Sequence, residues 1–239
     1  MTQAQEEYQA LGELEIMSQA NNYNHWIWRT ILPYVGNSII EIGAGIGTFT
    51  QYLKNKEKVF ATDSAQNCID VLRKRFHDQR NIAVEELDII SLPDLEFWNP
   101  REIDTVICLN VLEHIKEDML ALDNMITMSR PGANIILMVP AFKFAFGTID
   151  KLDGHFRRYS RKELRNKMIQ AGLIPLKITY FNSIGLAAWY YTNKIVKNSS
   201  TSESKVRIYD KYIVPWLSLV ERIIKPPFGQ SLIAIGKKR

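Results

Sequence analysis

Two stretches of the chain hold residue types that chemistry needs, at spacings that could bring them to one site. The first is Glu41-Ile42-Gly43-Ala44-Gly45-Ile46-Gly47, three glycines at alternate positions behind one acid. Glycine lacks a Cβ, so such a run can take positive φ and let a ligand lie against bare main-chain N–H groups. Asp63 comes about twenty residues after the strand leading into the glycines, where nucleotide sites place an acid on a ribose. A carboxylate is a pure acceptor and vicinal hydroxyls are donors, so the two suit each other. The second stretch holds Asp150, Asp153, His155, Arg157, Arg158 and Tyr159. His155 is the candidate general base, because an imidazole with an ordinary pKa of about 6.5 can take a proton near neutral pH. Asp150 and Tyr159 are its candidate catalytic companions. The competing reading of the same residues is structural: His155 bonds to Asp150 or Asp153 and, with Arg157 and Tyr159, locks the loop.

The elements that must position these residues follow from the apolar pattern. Ser38, Ile39, Ile40 and Ile42 make a β-branched run of the kind buried on both faces of a sheet, and residues 48–53 read as the start of a helix. The glycine turn then sits at a helix N-terminus, with unpaired donors facing outward. Its spacing rules out two common nucleotide loops. G-x-G-x-x-G counted from Gly43 requires glycine where Thr48 stands, and no lysine follows Gly47 as a phosphate-cradling loop requires. Downstream, strands at 58–62, 82–84, 103–109, 135–139 and 176–181 alternate with helices at 67–75, 116–129 and 160–171, the order of a doubly wound sheet. Ser160 and Glu163 open the last helix as a capping box. Upstream, residues 11–35 carry apolar side chains at helical intervals, with a break at Asn21, Asn22 and Asn24 and an end at Pro33 and Gly36.

With Glu41, Gly43, Gly45 and Gly47 so arranged, the chain resembles the class I S-adenosylmethionine-dependent methyltransferases. The run D-x-V-x-x-x-x-V-L-E-H-I, beginning at Asp104, resembles the small-molecule members. The G-H-x-R-R-Y loop beginning at Gly154 is similar to one in a bacterial branch. The resemblance implies an α/β, Rossmann-like, doubly wound sheet of seven strands, mostly parallel with an antiparallel last strand, plus N-terminal helices and a helical lid insertion. It implies S-adenosyl-L-methionine as cofactor, with Glu41, Gly43, Ala44, Gly45 and Gly47 beside the methionine part and Asp63, followed by Ser64, on the ribose. Asp88 would accept from the adenine amino group while the backbone of Ile89 meets the ring. Asn110 and Val111 would line the adenosine side, and His114 either touches the pocket or caps the next helix. Enzymes of this class that methylate exocyclic amino groups of bases carry Asn/Asp-Pro-Pro-Tyr/Phe at the end of the fourth strand. This chain has Asn110-Val111-Leu112-Glu113 there, which argues against that substrate.

In open parallel sheets ligands sit beyond the carboxyl ends of the strands, and residues 142–159 leave from such an end. Phe142, Phe144 and Phe146 are too apolar for a solvated loop. Between the strand at 176–181 and a last, antiparallel strand expected at 231–235 lie an aromatic segment with Trp189, Tyr190 and Tyr191, a polar linker at 198–204, and a stretch with Tyr209, Ile213, Trp216, Val220 and Ile223 at helical spacing, interrupted by Pro215. The expected division is a segment 1–36 closing the pocket, a core of 37–183 and 226–239, and a lid of 184–225. Tyr23, Trp26, Phe142, Phe144, Arg157, Phe181, Trp189, Tyr190 and Trp216 are the candidate substrate-binding residues. They suit a bulky, largely apolar acceptor of the natural-product kind, methylated on oxygen or nitrogen. Alignment alone can lower such a barrier by about 7–11 kcal/mol, so an amine needs no base whereas a phenol must first lose its proton. Two other readings stand. Trp216 flanked by Lys211, Arg222 and Lys225 suits a membrane-skimming enzyme with a lipid or polyprenyl acceptor. A non-catalytic cofactor-binding protein with an aromatic dimer interface fits the same residues.

Composition bounds these readings. A chain of 239 residues, 46% hydrophobic and 23% charged, can bury one large α/β core. The formal net charge of +4 is too mild to indicate nucleic acid, and Arg161, Lys162, Arg165 and Lys167 read as an outer helix face. Cys68 and Cys108 lack metal spacing, so no metal and a reduced, cytoplasmic setting are expected. The N-terminal stretch is polar and acidic, unlike a signal peptide. The longest apolar stretch, 184–191, is far short of the ~20 residues that span a bilayer. The expected partner is the small-molecule acceptor; peripheral membrane contact stays open, and so does the choice between monomer and homodimer.

Overall fold

The computed structural model describes residues 3–91, 102–191 and 203–239, with side chains from residue 11 onward. The strands are β1 (Ser38–Ile42), β2 (Lys58–Asp63), β3 (Ile82–Glu86), β4 (Thr105–Leu109), β5 (Asn134–Pro140), β6 (Leu173–Phe181) and β7 (Ser231–Lys238). The helices are α1 (Gln3–Ser18), α2 (Asn21–Ile31), α3 (Gln66–Phe76), α4 (Asp118–Thr127), α5 (Thr148–Leu152), α6 (Arg161–Gln170), α7 (Ser183–Tyr190), α8 (Glu203–Ile208) and α9 (Val214–Ile223). One seven-stranded sheet runs in the order β3-β2-β1-β4-β5-β7-β6. Strands β1 to β5 pair parallel, and β7 runs antiparallel to both β5 and β6. The expected Rossmann-like sheet with an antiparallel last strand is therefore present. Strand order reverses between β1 and β4, which opens a crevice at their carboxyl ends.

Residue parity sorts the core. Ile40, Ile42, Val106, Cys108, Leu137 and Val139 enter one apolar cluster, and Ile39, Val59, Ala61, Ile107, Ile136 and Met138 enter the other. A strand has a period of two, and helices cover both sheet faces, so apolar residues at successive positions alternate between the two clusters. Helices α4 and α6 close the first face through Leu122, Met125, Leu164 and Met168. On the second, α2 and α3 supply Trp26, Ile27, Ile31, Ile69 and Leu72. Each fully buried Ile or Leu contributes about 1.5–3 kcal/mol relative to exposure.

Three local expectations change. The helix expected at 48–53 is a set of turns ending in one 3₁₀ turn, Thr50–Leu53. Gly45 and Gly47 lie at φ 57° and 83°, outside the right-handed helix, so helical hydrogen bonding cannot begin sooner. The expected break at Asn21, Asn22 and Asn24 falls one step earlier, at Gln19 and Ala20, and the asparagines open α2. Ala20 has no side-chain cap to offer. Asp210, remote in sequence, caps instead: Oδ1 accepts from Tyr23 N at 2.8 Å and Oδ2 from Asn22 N at 3.2 Å. Pro215 does not break its segment, because a π turn at Tyr209–Ile213 precedes it and it falls in the first turn of α9, where its missing N–H has no helical partner to lose. Residues 192–202, which hold most of the expected polar linker, lie outside the described residues.

Candidate functional site

The glycine loop leaves the end of β1 with Gly43, Gly45 and Gly47 all at positive φ. A Cβ on Gly43 would overlap Val111, and one on Gly47 would overlap the Phe76 ring. The loop is tied down from β2: Ala44 N donates to Thr62 O at 2.8 Å and Gly45 N to Asp63 Oδ2 at 2.8 Å. Asp63 Oδ1 also accepts Ala65 N at 3.0 Å, so this acid joins the loop to the start of α3, and each oxygen keeps a lone pair for a further donor. Glu41 is 4% exposed, and its Oε2 accepts the Thr50 hydroxyl at 2.6 Å. Burial, with a smaller contribution from the charge of Asp63, pushes its carboxyl up to about 7.

A cavity of about 500 Å³ stands over the loop. Glu41, Gly43, Ala44 and Gly45 form its floor, with Asn110 beside them at the end of β4. Leu14 and Met17 of α1 and Tyr23 and Ile27 of α2 supply apolar wall, together with Phe49, Leu109 and Leu152. Glu13, Glu41 and Asp153 line it while no Lys or Arg does among the described residues. Burial, then the charge of Glu13, pushes the Asp153 carboxyl up to about 6. Acids lining one space with no cationic side chain beside them suit a cationic ligand there.

Two histidines form the far wall. Phe156 N donates to Glu113 O at 2.8 Å, which draws the loop after β5 against the turn after β4 and sets the His114 and His155 rings edge to face with centroids 4.5 Å apart. His155 Nδ1 lies 3.0 Å from Oδ1 of the fully buried Asp150, whose same oxygen also accepts Arg158 Nε at 2.6 Å. Burial alone would raise the Asp150 carboxyl. The hydrogen bonds from His155 and Arg158 outweigh it and hold the group below the usual range. An ionised carboxylate only accepts, so Nδ1 carries the proton and Nε2 is left with the lone pair. Burial first, and then the charge that His155 carries when protonated, lowers His114 to about 4, which keeps it neutral at pH 7. Glu113, His114 and His155 offer one ligand atom each within 4.8 Å of one another, against an edge of roughly 3.3 Å in a formed tetrahedral zinc site.

Of the remaining expected residues, some lie off this cavity. Val111 packs on Gly43. Asp88 accepts from Ile90 N and Ser91 Oγ, closing its own turn, and the Ile89 side chain is in the core. Ser64 is exposed between β2 and α3. Tyr159 cannot meet an acceptor: it is fully buried, and its hydroxyl donates to Asp118 Oδ2 at 2.9 Å. Arg157 pairs with Asp118 at 2.9 Å and donates to Lys116 O. Trp26 and Phe181 meet at a tilt of 38° with ring centroids 4.0 Å apart, along a different groove. Phe142, at φ 64°, stacks on Tyr180 at 5.0 Å. Phe144 is 59% exposed with its ring 6.0 Å from that of Tyr190, and Trp189 lies under the Arg158 guanidinium at 4.7 Å. Trp216, expected over the acceptor, is 73% exposed and faces outward, because α9 packs on α2 through Val214 and Leu217. Sequence reasoning missed Leu14, Met17 and Phe49, and named Asp153 only as a possible partner of His155. Leu14 and Met17 carried a signal, as members of the apolar stripe before the glycine loop.

The floor and walls fit S-adenosylmethionine. Its methionine part carries an ammonium beside a sulfonium, and the cavity sets the buried Glu41 among other acids beside the main chain of Gly43, Ala44 and Gly45. Residues 40–135 match the family model described as a methyltransferase domain. Over 117 residues the chain is 28% identical to the mitochondrial ubiquinone biosynthesis O-methyltransferase of Dictyostelium discoideum, covering 44% of this chain and 36% of that protein. The chain spans under half the length of the curated relatives it matches. In fold it is similar to a putative methyltransferase solved in complex with the Trm112 activator of Haloferax volcanii, with TM-score 0.63, 15% identity, and 93% and 92% of the two chains covered. It is also similar to a SAM-dependent methyltransferase of Archaeoglobus fulgidus, with TM-score 0.58, 18% identity, and 88% and 91% covered.

Proposed function

From the premise that residues 40–135 carry a methyltransferase domain of the class I fold, whose cofactor is S-adenosylmethionine, we propose that the protein methylates an ionisable hydroxyl of a small, largely apolar acceptor. One observation carries the choice of hydroxyl over amine: His155 lines the cavity with Nδ1 held by a buried carboxylate and Nε2 free to take a proton. Glu41 and the glycine backbone hold the methionine part of the cofactor, and Asp63 the ribose. The bound cofactor supplies a methyl group on a positively charged sulfur. Helix α1 closes the cavity over it, with Leu14 and Met17 beside Tyr23 and Ile27 as the apolar acceptor wall. When the acceptor takes up that methyl group in exchange for its hydroxyl proton, the proton would pass to His155 Nε2. Asp150 stabilises the imidazolium, and Arg158 keeps Asp150 ionised while this happens. Such a base is worth typically 10²–10⁴-fold in rate. The name of the Dictyostelium relative, an O-methyltransferase, supports the same reading. Single-turnover transfer of labelled methyl to phenols and amines of similar shape tests it. His155→Gln is expected to abolish phenol methylation and spare the amines; equal loss of both, or no loss, refutes the role of base.

A further inference from the structure

A second groove, of about 600 Å³, lies between α2, β6 and α9 and shares no lining residue with the cavity over the glycine loop. Arg29 of α2, Lys177 of β6, and Arg222 and Lys225 at the end of α9 line it, and none of the four pairs with an acid among the described residues. Its one acid, Glu221, is occupied elsewhere: Oε1 accepts Ser183 N at 2.7 Å and Ser183 Oγ at 2.6 Å, and Oε2 accepts Asn182 N at 3.1 Å. Partial burial, and then the nearby charge of Lys225, depresses the Lys177 ammonium, so these cations repel one another.

The helix beside this groove is turned the unusual way. Val214 and Leu217 face the core, while Trp216, Leu219, Val220 and Ile223 face solvent at 73%, 52%, 51% and 76% exposure. A surface helix normally presents its polar side outward. The spacing of the four makes one stripe, continued by the exposed Tyr212 and Ile224. Lys205, Arg207 and Lys211 add cations along the same segment against the one exposed acid Glu203, and Asp210, like Glu221, is taken up by a helix N-terminus.

We infer that α9 and the basic groove beside it dock the protein onto an anionic lipid bilayer, the stripe entering the acyl boundary and the groove taking headgroup phosphates. Aromatic and aliphatic side chains beside uncompensated cations match both layers of such a surface. A second copy of the chain matches it poorly, since a two-fold contact through this face would set like charges against each other. This inference does not depend on the proposed chemistry.

The full chain is sedimented with vesicles of phosphatidylcholine alone or mixed equally with phosphatidylglycerol. Binding to the mixed vesicles, weak binding to the neutral ones, and loss at high salt are expected. Trp216→Asp with Ile223→Asp is expected to abolish binding. Arg222→Glu with Lys225→Glu is expected to weaken it about tenfold or more, each lysine or arginine near such a surface being worth about 1 kcal/mol. Melting temperature and cofactor affinity should stay as in the parent, since neither pair touches the glycine loop. Failure to bind mixed vesicles overturns the inference, as does binding that neither double variant alters. Loss on charge reversal alone, with the Trp216 variant still bound, points to a phosphate site without a membrane and also overturns it. A dimer in sedimentation equilibrium that Trp216→Asp dissociates makes the stripe a subunit interface instead.

Discussion

Two cavities of this molecule are electrostatic opposites on one scaffold. Over the glycine loop, Glu13, Glu41 and Asp153 face a space lined by no Lys or Arg among the described residues. Between α2 and α9, four cations face a groove whose only acid is occupied by the start of α7. Burial without a cation beside it falls on Glu41 in the first, whereas Arg29, Arg222 and Lys225 are exposed and Lys177 is half-buried in the second. Each cavity therefore states the charge of what should fill it: a cation in the first, an anion in the second. Helix α2 lies between them, giving Tyr23, Asn24 and Ile27 to one and Asn22, Trp26 and Arg29 to the other.

The contrast can be broken residue by residue. His155→Ala carries the largest expected effect, a fall of about 10²–10⁴ in single-turnover rate with cofactor binding intact by calorimetry. Next, Glu41→Gln removes the buried carboxylate facing a cationic ligand, and a weakening of cofactor binding by roughly 10–100-fold is expected, since hydrogen bonds to charged groups are worth about 1.5–3 kcal/mol. Gly43→Ala combines a positive φ of 68° with overlap on Val111 and should cost about 1–3 kcal/mol in denaturant unfolding. The acids of the first cavity also predict a pH dependence. Glu41 is raised from 4.5 to about 7 by burial and Asp153 from 3.8 to about 6, so folding of the cofactor-free protein is favoured below about pH 4 and loses that contribution as pH rises through 6 and 7. A fall in melting temperature on the order of 3–8 °C between pH 5 and 8 should appear, and saturating S-adenosylmethionine should flatten it. The smallest effect sharpens the comparison: Arg222→Glu with Lys225→Glu should move cofactor affinity by less than about twofold, because charges separated by more than a Debye length are screened.

Much of the first cavity was legible in the chain. Three glycines at alternate positions cannot be replaced where a backbone must turn at positive φ under Val111 and Phe76, and Glu41 and Asp63 sit at strand ends that β-branched runs announce. His155 and Asp150 were legible as a pair: the bond between them is present, with Asp150 fully buried and His155 alone of the two lining the cavity. Tyr159 was misplaced because a G-H-x-R-R-Y string cannot say that the tyrosine turns under the sheet toward Asp118. Trp216 was misplaced for a related reason. Its helical stripe is real, but amphipathicity alone does not say which face meets the protein.

The sequence by itself determined the sheet, the strand that carries the glycine loop and the acids around it, because these rest on local rules of period two, glycine conformation and strand-end placement. Tertiary structure alone decided that Asp210 caps α2, that Leu14 and Met17 close over the glycines, and that the apolar face of α9 turns outward beside a basic groove. Those outcomes depend on contacts between residues up to 188 positions apart, and no local preference encodes which distant surface a helix will meet.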